Sequence, residues 1–479
     1  MSTGVASTWK ELYNATAKAA EYNANERRNF SRCLPGTRTE LLNDLQDDFG
    51  QDGRKIVWLF GDSGTGKSSV AHTIAQRLKE QDRLAATFFF SRKQRGRSNP
   101  NQVLSTIAYQ IGCLHRRAKE AIVRAIEDDP GLLDDDHPRD DQFRKLVQEP
   151  LRNLKSSWTE ARSIIIDAAD EAEPPQPWFT RSAIVPMVLT LNDLLRDHNV
   201  PISRILITSR PLPLYLGLQE NEDVRDFMYP IHIEDFDATP DIELYLRESF
   251  NSIHACRQLH FVRQRPWPTQ DILASLSSHV HGRFITAATI VRWVEAAEHP
   301  VDCLNLVSNL YNGRVDTIDI DLRSFDSLYH YILCQGTEDD LTQQRAGAEL
   351  LSDIAALAQP LSASTISILL GIDVRKQTAR LAAIINVPPL DPVQIYHPSL
   401  RDYLADESRS QYLYIQPCDS HNRLTQWCFR TFRSTLPDHP RDVSPALQYA
   451  LDYWTFHLLH SGQTPEANGT EYGGHEIPE

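Results

Sequence analysis

One stretch of the chain has the residue types and the spacing of a phosphate-binding loop. It fits the pattern G-x-x-x-x-G-K-[ST], and the consecutive residues expected to bind nucleotide are Gly61, Asp62, Ser63, Gly64, Thr65, Gly66, Lys67, Ser68 and Ser69. Glycines let the backbone turn its N–H groups toward a phosphate, and the helix N-terminus that follows favours negative charge. Lys67 would contact the β- and γ-phosphates, and the Ser68 hydroxyl would be a ligand of Mg²⁺. An accidental glycine turn is the alternative, which the strand before the loop and the helix after it disfavour.

A group of acidic residues follows the apolar run 163–166. Asp167, at the end of a buried strand, would hold Mg²⁺ directly or through water. Asp170 or Glu171 would be the catalytic general base that polarises an attacking water. An apolar run that ends in Asp is common on its own, and Asp170 and Glu171 could equally belong to a solvated acidic loop. The phosphate-binding loop upstream favours the magnesium site.

A further apolar run, 204–208, also ends in polar residues. Thr208 and Ser209 would lie near the γ-phosphate if this strand lies between the first and the third. Arg210 could then bind phosphate, or it could be a surface arginine before a proline. The [NT]KxD segment with which small GTPases read guanine is missing from the sequence. We therefore expect ATP or ADP, with Mg²⁺, as the ligands.

The elements around these residues predict an α/β fold with a mostly parallel sheet. The candidate buried strands are 56–60, 84–90, 163–166 and 204–208, and the helical patterns between them lie near 103–126, 143–154 and 184–195. A capping box at Thr8–Glu11 predicts a short N-terminal helix. Beyond residue 235 the apolar spacing is helical almost throughout, apart from a hairpin predicted at 384–397 and a helix that starts at Ser444. The polar, glycine-rich end of the chain predicts a disordered tail over 463–479.

Composition narrows the class of protein. The length of 479 residues suggests about three domains. Acidic residues outnumber basic ones, 64 to 49, and the net charge of −15 argues against a general nucleic-acid binder. The N-terminus has no secretory signal, no apolar run is long enough to span a bilayer, and the seven scattered cysteines include no CxxC pair. We expect a soluble, cytoplasmic protein with reduced thiols, no nucleic-acid partner and no membrane span.

Eight stretches, in order along the chain, resemble one known family. They are CLPGTRTELL (33–42), GDSGTGKSS (61–69), ATFFFSR (86–92), IIIDAADE (164–171), ILITSRP (205–211), GRFITAATIVRW (282–293), LAQPLSASTISILLGI (357–372) and YHPSLRDYLAD (396–406). The set is similar to the fungal NACHT-type P-loop NTPases of the STAND class, with a nephrocystin-3-like N-terminal region. The phosphate-binding loop is generic, whereas CxPGTR upstream and HxSxxDxL downstream are specific to this group.

The resemblance implies an architecture: an α/β P-loop domain with sheet order 5-1-4-3-2 and a fifth strand near 231–233, then further domains. The implied boundaries are 1–30 for a short N-terminal helix and linker, 31–235 for the NACHT P-loop domain, 236–335 for a helical domain, 336–412 for a winged helix, 413–462 for C-terminal helices and 463–479 for the tail.

The resemblance also implies a switch. In such proteins bound ADP keeps the domains closed, and exchange for ATP opens them for self-association. His397 would contact the phosphate of ADP in the closed state, or it could be a structural histidine at a strand end. Residues 35–38 would pack near the nucleotide base, or they could form an ordinary turn before a helix.

Two departures from the family pattern limit what the resemblance implies. About thirty residues precede CLPGTR and the chain ends soon after the winged helix, so the usual effector domain and C-terminal repeats are missing. Three alternatives stay open: a minimal switch, an adaptor for which other protein chains supply sensor and effector functions, or a fragment of a longer gene product. Ala169 replaces the leucine of the family's DALDE motif, which removes no acid and leaves Mg²⁺ binding intact.

The expected function is an ATP/ADP-binding switch with at most slow ATPase activity, in fungal non-self recognition, innate-immunity-like signalling or programmed cell death. One alternative is a mechanical AAA-like ATPase, but Ala168 stands where its catalytic glutamate would follow Asp167. Its subunit-crossing arginine would come from a basic cluster that could equally be a solvated loop: Arg92, Lys93, Arg95 and Arg97. A scaffold with a vestigial nucleotide site is the other alternative, against which the intact Lys67, Ser68 and Asp167 argue.

Overall fold

Five strands in the first half of the chain form one parallel sheet. They are β1 (Lys55–Phe60), β2 (Leu84–Phe89), β3 (Arg162–Asp167), β4 (Ile202–Ser209) and β5 (Met228–His232). Their order is β2-β3-β4-β1-β5, and every neighbouring pair is parallel. Ile205 of β4 lies opposite Ile56 on one side and Ile164 on the other. The predicted order 5-1-4-3-2 and the α/β fold class are therefore confirmed.

The structure is a computed structural model. It describes residues 3–22, 32–50, 53–92, 95–172, 184–211, 227–257, 267–312, 325–335, 340–434 and 443–462. The chain divides into two compact units, Met1–Ala288 and Thr289–Glu479. The predicted tail, 463–479, and Lys93 lie outside the described residues. None of the helices in the described ranges has the length and the apolar character needed to cross a bilayer.

Helices cover both faces of the sheet in the first unit. They are α1 (Thr3–Asn14), α2 (Thr39–Gly50), α3 (Lys67–Glu80), α4 (Arg95–Ser98), α5 (Gln102–Leu114), α6 (Arg116–Asp128), α7 (Arg139–Phe143), α8 (Glu149–Arg152), α9 (Ile184–Arg196), α10 (Thr239–Cys256) and α11 (Gln270–His279). Val70 of α3 packs with Leu206 on one face of the sheet, whereas Ile107 and Leu191 pack with Ile205 on the other. Strands covered in this way are continuous apolar runs, which is why β1 to β4 are visible in the sequence.

The fifth strand lies earlier than predicted. It covers Met228–His232, and Ile233 belongs to a 3₁₀ turn, Ile233–Asp235, rather than to the strand. β5 pairs with β1 only as far as Phe60, because the chain turns away at Gly61 and leaves no partner beyond His232. As an edge strand with exposed residues, β5 has no continuous apolar run that the sequence could reveal.

Three helix predictions for the first unit are corrected. The single helix near 103–126 is two helices, because His115 is extended and its Nδ1 accepts a hydrogen bond from the Arg117 N–H. The predicted capping box is also wrong, since Thr8 lies inside α1. The ring of Trp9 stacks on Tyr109 of α5. Tertiary packing, rather than the local capping pattern, therefore places this helix. The helix predicted near 143–154 is broken into α7, a π-helical turn (Arg144–Gln148) and α8.

The second unit is helical around one small hairpin. Helix α12 (Phe284–Ala296) begins in the first unit and ends in the second. The helices that follow are α13 (Pro300–Tyr311), α14 (Phe325–Cys334), α15 (Leu341–Ala356), α16 (Ala363–Leu370), α17 (Val374–Thr378), α18 (Ser399–Leu404), α19 (Glu407–Ser410), α20 (Pro417–Ser434) and α21 (Pro445–His460). The hairpin pairs β6 (Ile385–Asn386) with β7 (Gln394–Ile395) inside the predicted range 384–397. Helix α21 begins where predicted, after Ser444, whose hydroxyl accepts from the Leu447 N–H.

Candidate nucleotide-binding site

The phosphate-binding loop joins β1 to α3 at the carboxyl edge of the sheet. Gly64 and Gly66 have φ values of +84° and +99°, a left-handed conformation that glycine adopts without steric cost. The Thr65 hydroxyl donates to the Asp62 carbonyl oxygen across the turn, at 2.9 Å. The loop therefore has a defined curl, and the N-terminus of a 14-residue helix follows it. This arrangement directs backbone N–H groups and a helix dipole to one place, as anion binding requires.

Lys67 lies folded against its own loop. Its Nζ donates to the carbonyl oxygens of Gly61 and Asp62, each at 2.7 Å. Burial lowers the pKa of the Lys67 ammonium, while the carboxylates of Asp170 and Asp167 act in the opposite direction. Two backbone carbonyls thus hold the cation that the sequence assigns to the phosphates.

Asp167, at the end of β3, lies beside the start of α3. Its side chain is 2% exposed, and its Oδ1 accepts a 2.6 Å hydrogen bond from the Thr208 hydroxyl. The Ser68 side chain is also hydrogen-bonded to it. Burial raises the pKa of the Asp167 carboxyl, and the bonds from Thr208 and Ser68 oppose that change. The fold therefore brings Ser68 and Asp167, the two predicted magnesium ligands, into contact. Both offer the hard oxygen atoms that Mg²⁺ prefers.

Asp170 and Glu171, the candidate general bases, are both engaged by arginines. Arg210 contacts Asp170 twice: its Nε lies 3.2 Å from Oδ2, and its backbone N–H donates to Oδ1 at 3.1 Å. The Arg92 backbone N–H donates to Glu171 Oε2, and its Nη2 donates to the Asp170 carbonyl oxygen. Arg210 is thus neither an isolated surface arginine nor free of the acidic group, and the Asp170 carboxylate is already paired.

The turn that carries these acids has an unusual backbone. Ala168 has φ of +55° and ψ of 47°, directly after Asp167, and its N–H donates to the Thr208 Oγ1 at 3.0 Å. A non-glycine residue in this conformation costs roughly 1–2 kcal/mol. The strained residue turns the chain sharply after β3, and the bonds of Thr208 to both Asp167 and Ala168 help to hold it.

One arginine of the basic cluster considered as a source of a subunit-crossing arginine is buried, and another, Arg92, is exposed. Arg97 is 6% exposed, and its Nε donates to the Phe89 carbonyl oxygen. Arg92 contacts the acidic turn, as described above. Arg95 begins the short helix α4. The described part of the cluster therefore contributes to the internal structure of the first unit.

Residues outside the loop that contact it include Arg38 and Arg283, which lie in the family-like stretches 33–42 and 282–293, and Glu234, which lies in none of these stretches. Arg38 is 4% exposed and donates from Nη2 to the Thr65 carbonyl oxygen at 2.9 Å and from Nη1 to the Phe236 carbonyl oxygen at 3.2 Å. Glu234 accepts the Asp62 N–H at 2.7 Å, and Arg283 Nη2 lies 2.7 Å from Asp62 Oδ2. Glu234 follows the edge strand β5, and Arg283 follows α11. Both are far from the loop in the sequence, so the fold brings them to it.

His397 is a residue of the second unit. Its Nδ1 lies 2.7 Å from the Ser399 hydroxyl and accepts the Ser399 N–H at 3.2 Å. Ser399 is the first residue of α18, and Pro398 holds the N-cap position. An acceptor Nδ1 leaves the ring proton on Nε2. The Ser399 hydroxyl is also hydrogen-bonded to the buried Tyr329 at 3.0 Å, so the imidazole has a fixed orientation within its unit.

Comparisons with known proteins give one sequence match and several structural ones. A family model described as "Nephrocystin 3, N-terminal" matches residues 36–210, and no curated protein matches the chain. A STAND protein of Pyrococcus horikoshii with a tetratricopeptide repeat sensor is 13% identical, with a TM-score of 0.43; the match covers 88% of this chain and 49% of that one. The ORC2 protein of Aeropyrum pernix is 12% identical, with a TM-score of 0.38, over 85% and 98% of the two chains. The matched residues 36–210 contain the phosphate-binding loop, the acidic turn and Arg210.

Proposed function

We propose that the chain is an ATP/ADP-binding switch of the STAND class, similar to NACHT proteins. The observation that carries the proposal is the contact of Ser68 with Asp167 beside a preformed phosphate-binding loop. That loop presents glycines, a helix N-terminus and Lys67 at the carboxyl edge of a parallel sheet. Nucleotides bind at this edge in open α/β sheets.

Different residues of the site would bind the phosphates and the metal ion. Loop residues 61–69 would bind the phosphates through backbone N–H groups other than that of Asp62, which Glu234 accepts. Lys67 would leave its two carbonyl partners to pair with the phosphates. Ser68 and Asp167 would hold Mg²⁺, which supplies charge neutralisation when bound. Thr208 orients the Asp167 carboxylate through its 2.6 Å hydrogen bond, and so would fix the position from which Asp167 binds the ion.

Slow turnover fits the acidic turn better than rapid hydrolysis does. Asp170 is paired with Arg210, and Glu171 accepts from the backbone of Arg92, so each candidate base is held by a donor. The position after Asp167 is Ala168 in a left-handed conformation, which has no carboxylate to activate water. In this proposal the Arg210 guanidinium turns to the nucleotide phosphate when ATP binds, while the Arg210 backbone N–H stays on Asp170 Oδ1 and still holds this candidate base.

The switch itself involves the second unit. His397 would donate from Nε2 to a phosphate oxygen of ADP and stabilise the closed state, and exchange for ATP would release this contact and allow self-association. Protein partners would supply sensor and effector functions. The sequence resemblance supports a role in fungal non-self recognition, innate-immunity-like signalling or programmed cell death.

The experiment that tests the function identifies the nucleotide and its turnover. The purified chain is denatured and the released nucleotide is separated by chromatography, and ADP binding and ATP hydrolysis are then measured with Mg²⁺. We expect ADP to co-purify and turnover to stay below about one per minute. Turnover of roughly 1–1000 per second, typical of working enzymes, would favour the AAA-like ATPase instead. If no nucleotide co-purifies and added nucleotide does not bind, the remaining hypothesis is a scaffold with a vestigial nucleotide site.

A further inference from the structure

The outward side of the phosphate-binding loop is bound by two segments from elsewhere in the first unit. The first segment, Ile233 and Glu234, follows β5, and the Glu234 carboxylate accepts the Asp62 N–H at 2.7 Å. The second segment, Arg283 to Ile285, leads into α12, and Arg283 pairs with the Asp62 carboxylate at 2.7 Å. We call these two segments the outer clamp.

The clamp also touches the loop at its glycines. A Cβ atom placed on Gly61 would lie 2.2 Å from Ile233 Cγ2, and one placed on Gly64 would lie 2.0 Å from Ile285 Cγ2. The Ile285 N–H donates to the Gly64 carbonyl oxygen at 3.1 Å. Ile233 is fully buried, and Ile285 is 8% exposed. The loop and the clamp are therefore packed without space for even a methyl group between them.

These contacts use one N–H and one carbonyl oxygen of the loop, and they leave the N–H groups of residues 63–68 to a phosphate. Glu234 takes the N–H of the first residue after Gly61, and Ile285 binds a carbonyl oxygen, which no phosphate would accept as a partner. A bound nucleotide therefore leaves the clamp intact. The clamp instead fixes the backbone from which residues 63–68 present their N–H groups.

We propose that Glu234 and Arg283 are positioning residues of the nucleotide site, which make nucleotide retention depend on the segment that leads into α12. This inference rests on the proposed nucleotide-binding function. Neither side chain contacts the nucleotide. A shift of residues 283–285 withdraws the Asp62 and Gly64 contacts together, loosens the loop and releases the nucleotide faster. The helix that begins at Phe284 is in this way linked to the occupancy of the loop.

The size of the effect follows from the exposure of the ion pair. The side chains of Arg283 and Asp62 are 38% and 56% exposed, so their attraction is screened by solvent. Arg283→Ala is expected to raise the off-rate of ADP by about two- to fivefold, the range of partly exposed ion pairs. Arg283→Asp places a carboxylate beside Asp62 and Glu234, and is expected to raise the off-rate by about tenfold.

The experiment measures the release of fluorescent N-methylanthraniloyl-ADP from the full chain by stopped flow, at low and high salt. The variants are Arg283→Ala, Arg283→Lys and Arg283→Asp. Arg283→Lys, which keeps a positive charge beside Asp62, should keep the off-rate within about twofold of wild type, and high salt should reduce the differences among variants. Arg116→Ala, which removes an exposed pair with Glu120 on α6, is the matched control and should change nothing.

Hydrogen exchange of the nucleotide-free chain gives a second readout. Arg283→Ala should speed the exchange of amides 62–66 and leave those of β3 unchanged. A wild-type off-rate and wild-type exchange in Arg283→Ala, or an off-rate of Arg283→Lys as fast as that of Arg283→Asp, would overturn the inference while the proposed function stands. Failure of the wild-type chain to bind the fluorescent ADP would overturn both.

Discussion

At the scale of single residues, Lys67 and Asp167 have different hydrogen-bond partners, and the difference indicates different roles in nucleotide binding. The Lys67 ammonium donates to two neutral carbonyl oxygens, which attract a cation less strongly than a charged phosphate does. Asp167 accepts the hydroxyl of Thr208 through Oδ1 and is the proposed partner of the metal ion rather than of the phosphates. Lys67 is therefore expected to act on the phosphates directly, and Asp167 only through the metal ion.

Lys67→Ala should abolish ATP binding with and without Mg²⁺. Asp167→Asn, which can still accept the Thr208 hydroxyl but has no charge, should weaken binding in Mg²⁺ and keep the part of the affinity that remains in EDTA. Asp167→Ala should behave in the same way, with an additional loss of stability because Thr208 loses its partner. Titration calorimetry in both buffers is the measurement, and equal losses in all three variants would contradict the separate roles.

Gly64 should be irreplaceable for two independent reasons. Its φ of +84° is costly for any residue with a Cβ, and that Cβ would lie 2.0 Å from Ile285. Gly64→Ala is expected to reduce ADP affinity at least tenfold, the sum of a backbone penalty and a displaced clamp of about 1–3 kcal/mol each. Gly131→Ala, where the nearest atom lies 3.6 Å away, is the control and should bind ADP within about twofold of wild type. A Gly64→Ala variant with wild-type affinity would show that the loop repacks.

At the scale of elements, the α20–α21 pair of the second unit contains a chain of hydrogen bonds. The Ala358 N–H donates to the Tyr449 hydroxyl at 2.9 Å, and this hydroxyl is hydrogen-bonded to His457 Nε2 at 2.8 Å. His457 Nδ1 and His421 Nδ1 share the next bond, at 2.9 Å, in which one ring donates and the other accepts. Both imidazoles are neutral in this arrangement, and protonation of either ring at its acceptor nitrogen breaks the chain.

This chain of bonds predicts a loss of stability in acid. Burial lowers the pKa of His421 to about 3 and that of His457 to about 4. Repulsion from His457, His460 and Arg401 adds to the shift at His421, and repulsion from His460 adds to the shift at His457. Because the unfolded histidines bind protons below about pH 6.5 and the folded ones do not, stability is complete above that pH and falls below it. At pH 5.5 the loss is ~1.4 kcal/mol per histidine.

Urea unfolding followed by circular dichroism at pH 7.5 and 5.5 is the measurement. A double variant, His421→Gln with His457→Gln, should lose most of this pH dependence, and the difference between the two proteins isolates the histidines from other groups. One such group is Asp353, whose pKa burial raises to about 6 and whose contribution has the opposite sign. Equal pH dependence in both proteins would mean that the two rings do not govern it.

The elements also show what the sequence can and cannot reveal. The sequence reveals β1 to β4 because burial on both faces makes each strand an unbroken apolar run. The exposed edge strand β5 has no such run, and its predicted position, 231–233, is shifted toward Ile231 and Ile233. The loop residues were visible because their chemistry requires fixed spacing within one segment. Glu234 and Arg283 were not, because they reach Asp62 from positions 172 and 221 residues away along the chain. No local pattern encodes such a meeting.

At the scale of the whole molecule, a nucleotide that binds only the folded state stabilises the unit to which it binds. Mg²⁺–ADP at about 100 times its dissociation constant adds about 2.7 kcal/mol. Exchange of the amides of β3 that open by global unfolding should then slow by about 100-fold. This protection is expected whatever the second unit does.

The second unit distinguishes a switch from a simple binding domain. If His397 contacts ADP, the amides of α18 should also gain protection when Mg²⁺–ADP is added, and His397→Ala should remove that gain while β3 stays protected. Hydrogen exchange with mass spectrometry reads both units in one experiment. Unchanged exchange in α18 of the wild-type chain would limit His397 to its bonds with Ser399, and the switch would need another contact.

The free edge of β2 is closed by groups of the same chain. The Phe89 N–H donates to the Ala20 carbonyl oxygen at 2.9 Å, and the Gln110 carboxamide bonds both backbone groups of Thr87, at 2.9 and 2.7 Å. Unpaired backbone groups at such an edge are templates for strand addition by other molecules. An incoming strand would have to displace a tethered competitor whose effective concentration is about millimolar. Fibril growth from this edge is therefore disfavoured at ordinary protein concentrations. Strand addition at β2 should not limit how far the protein can be concentrated.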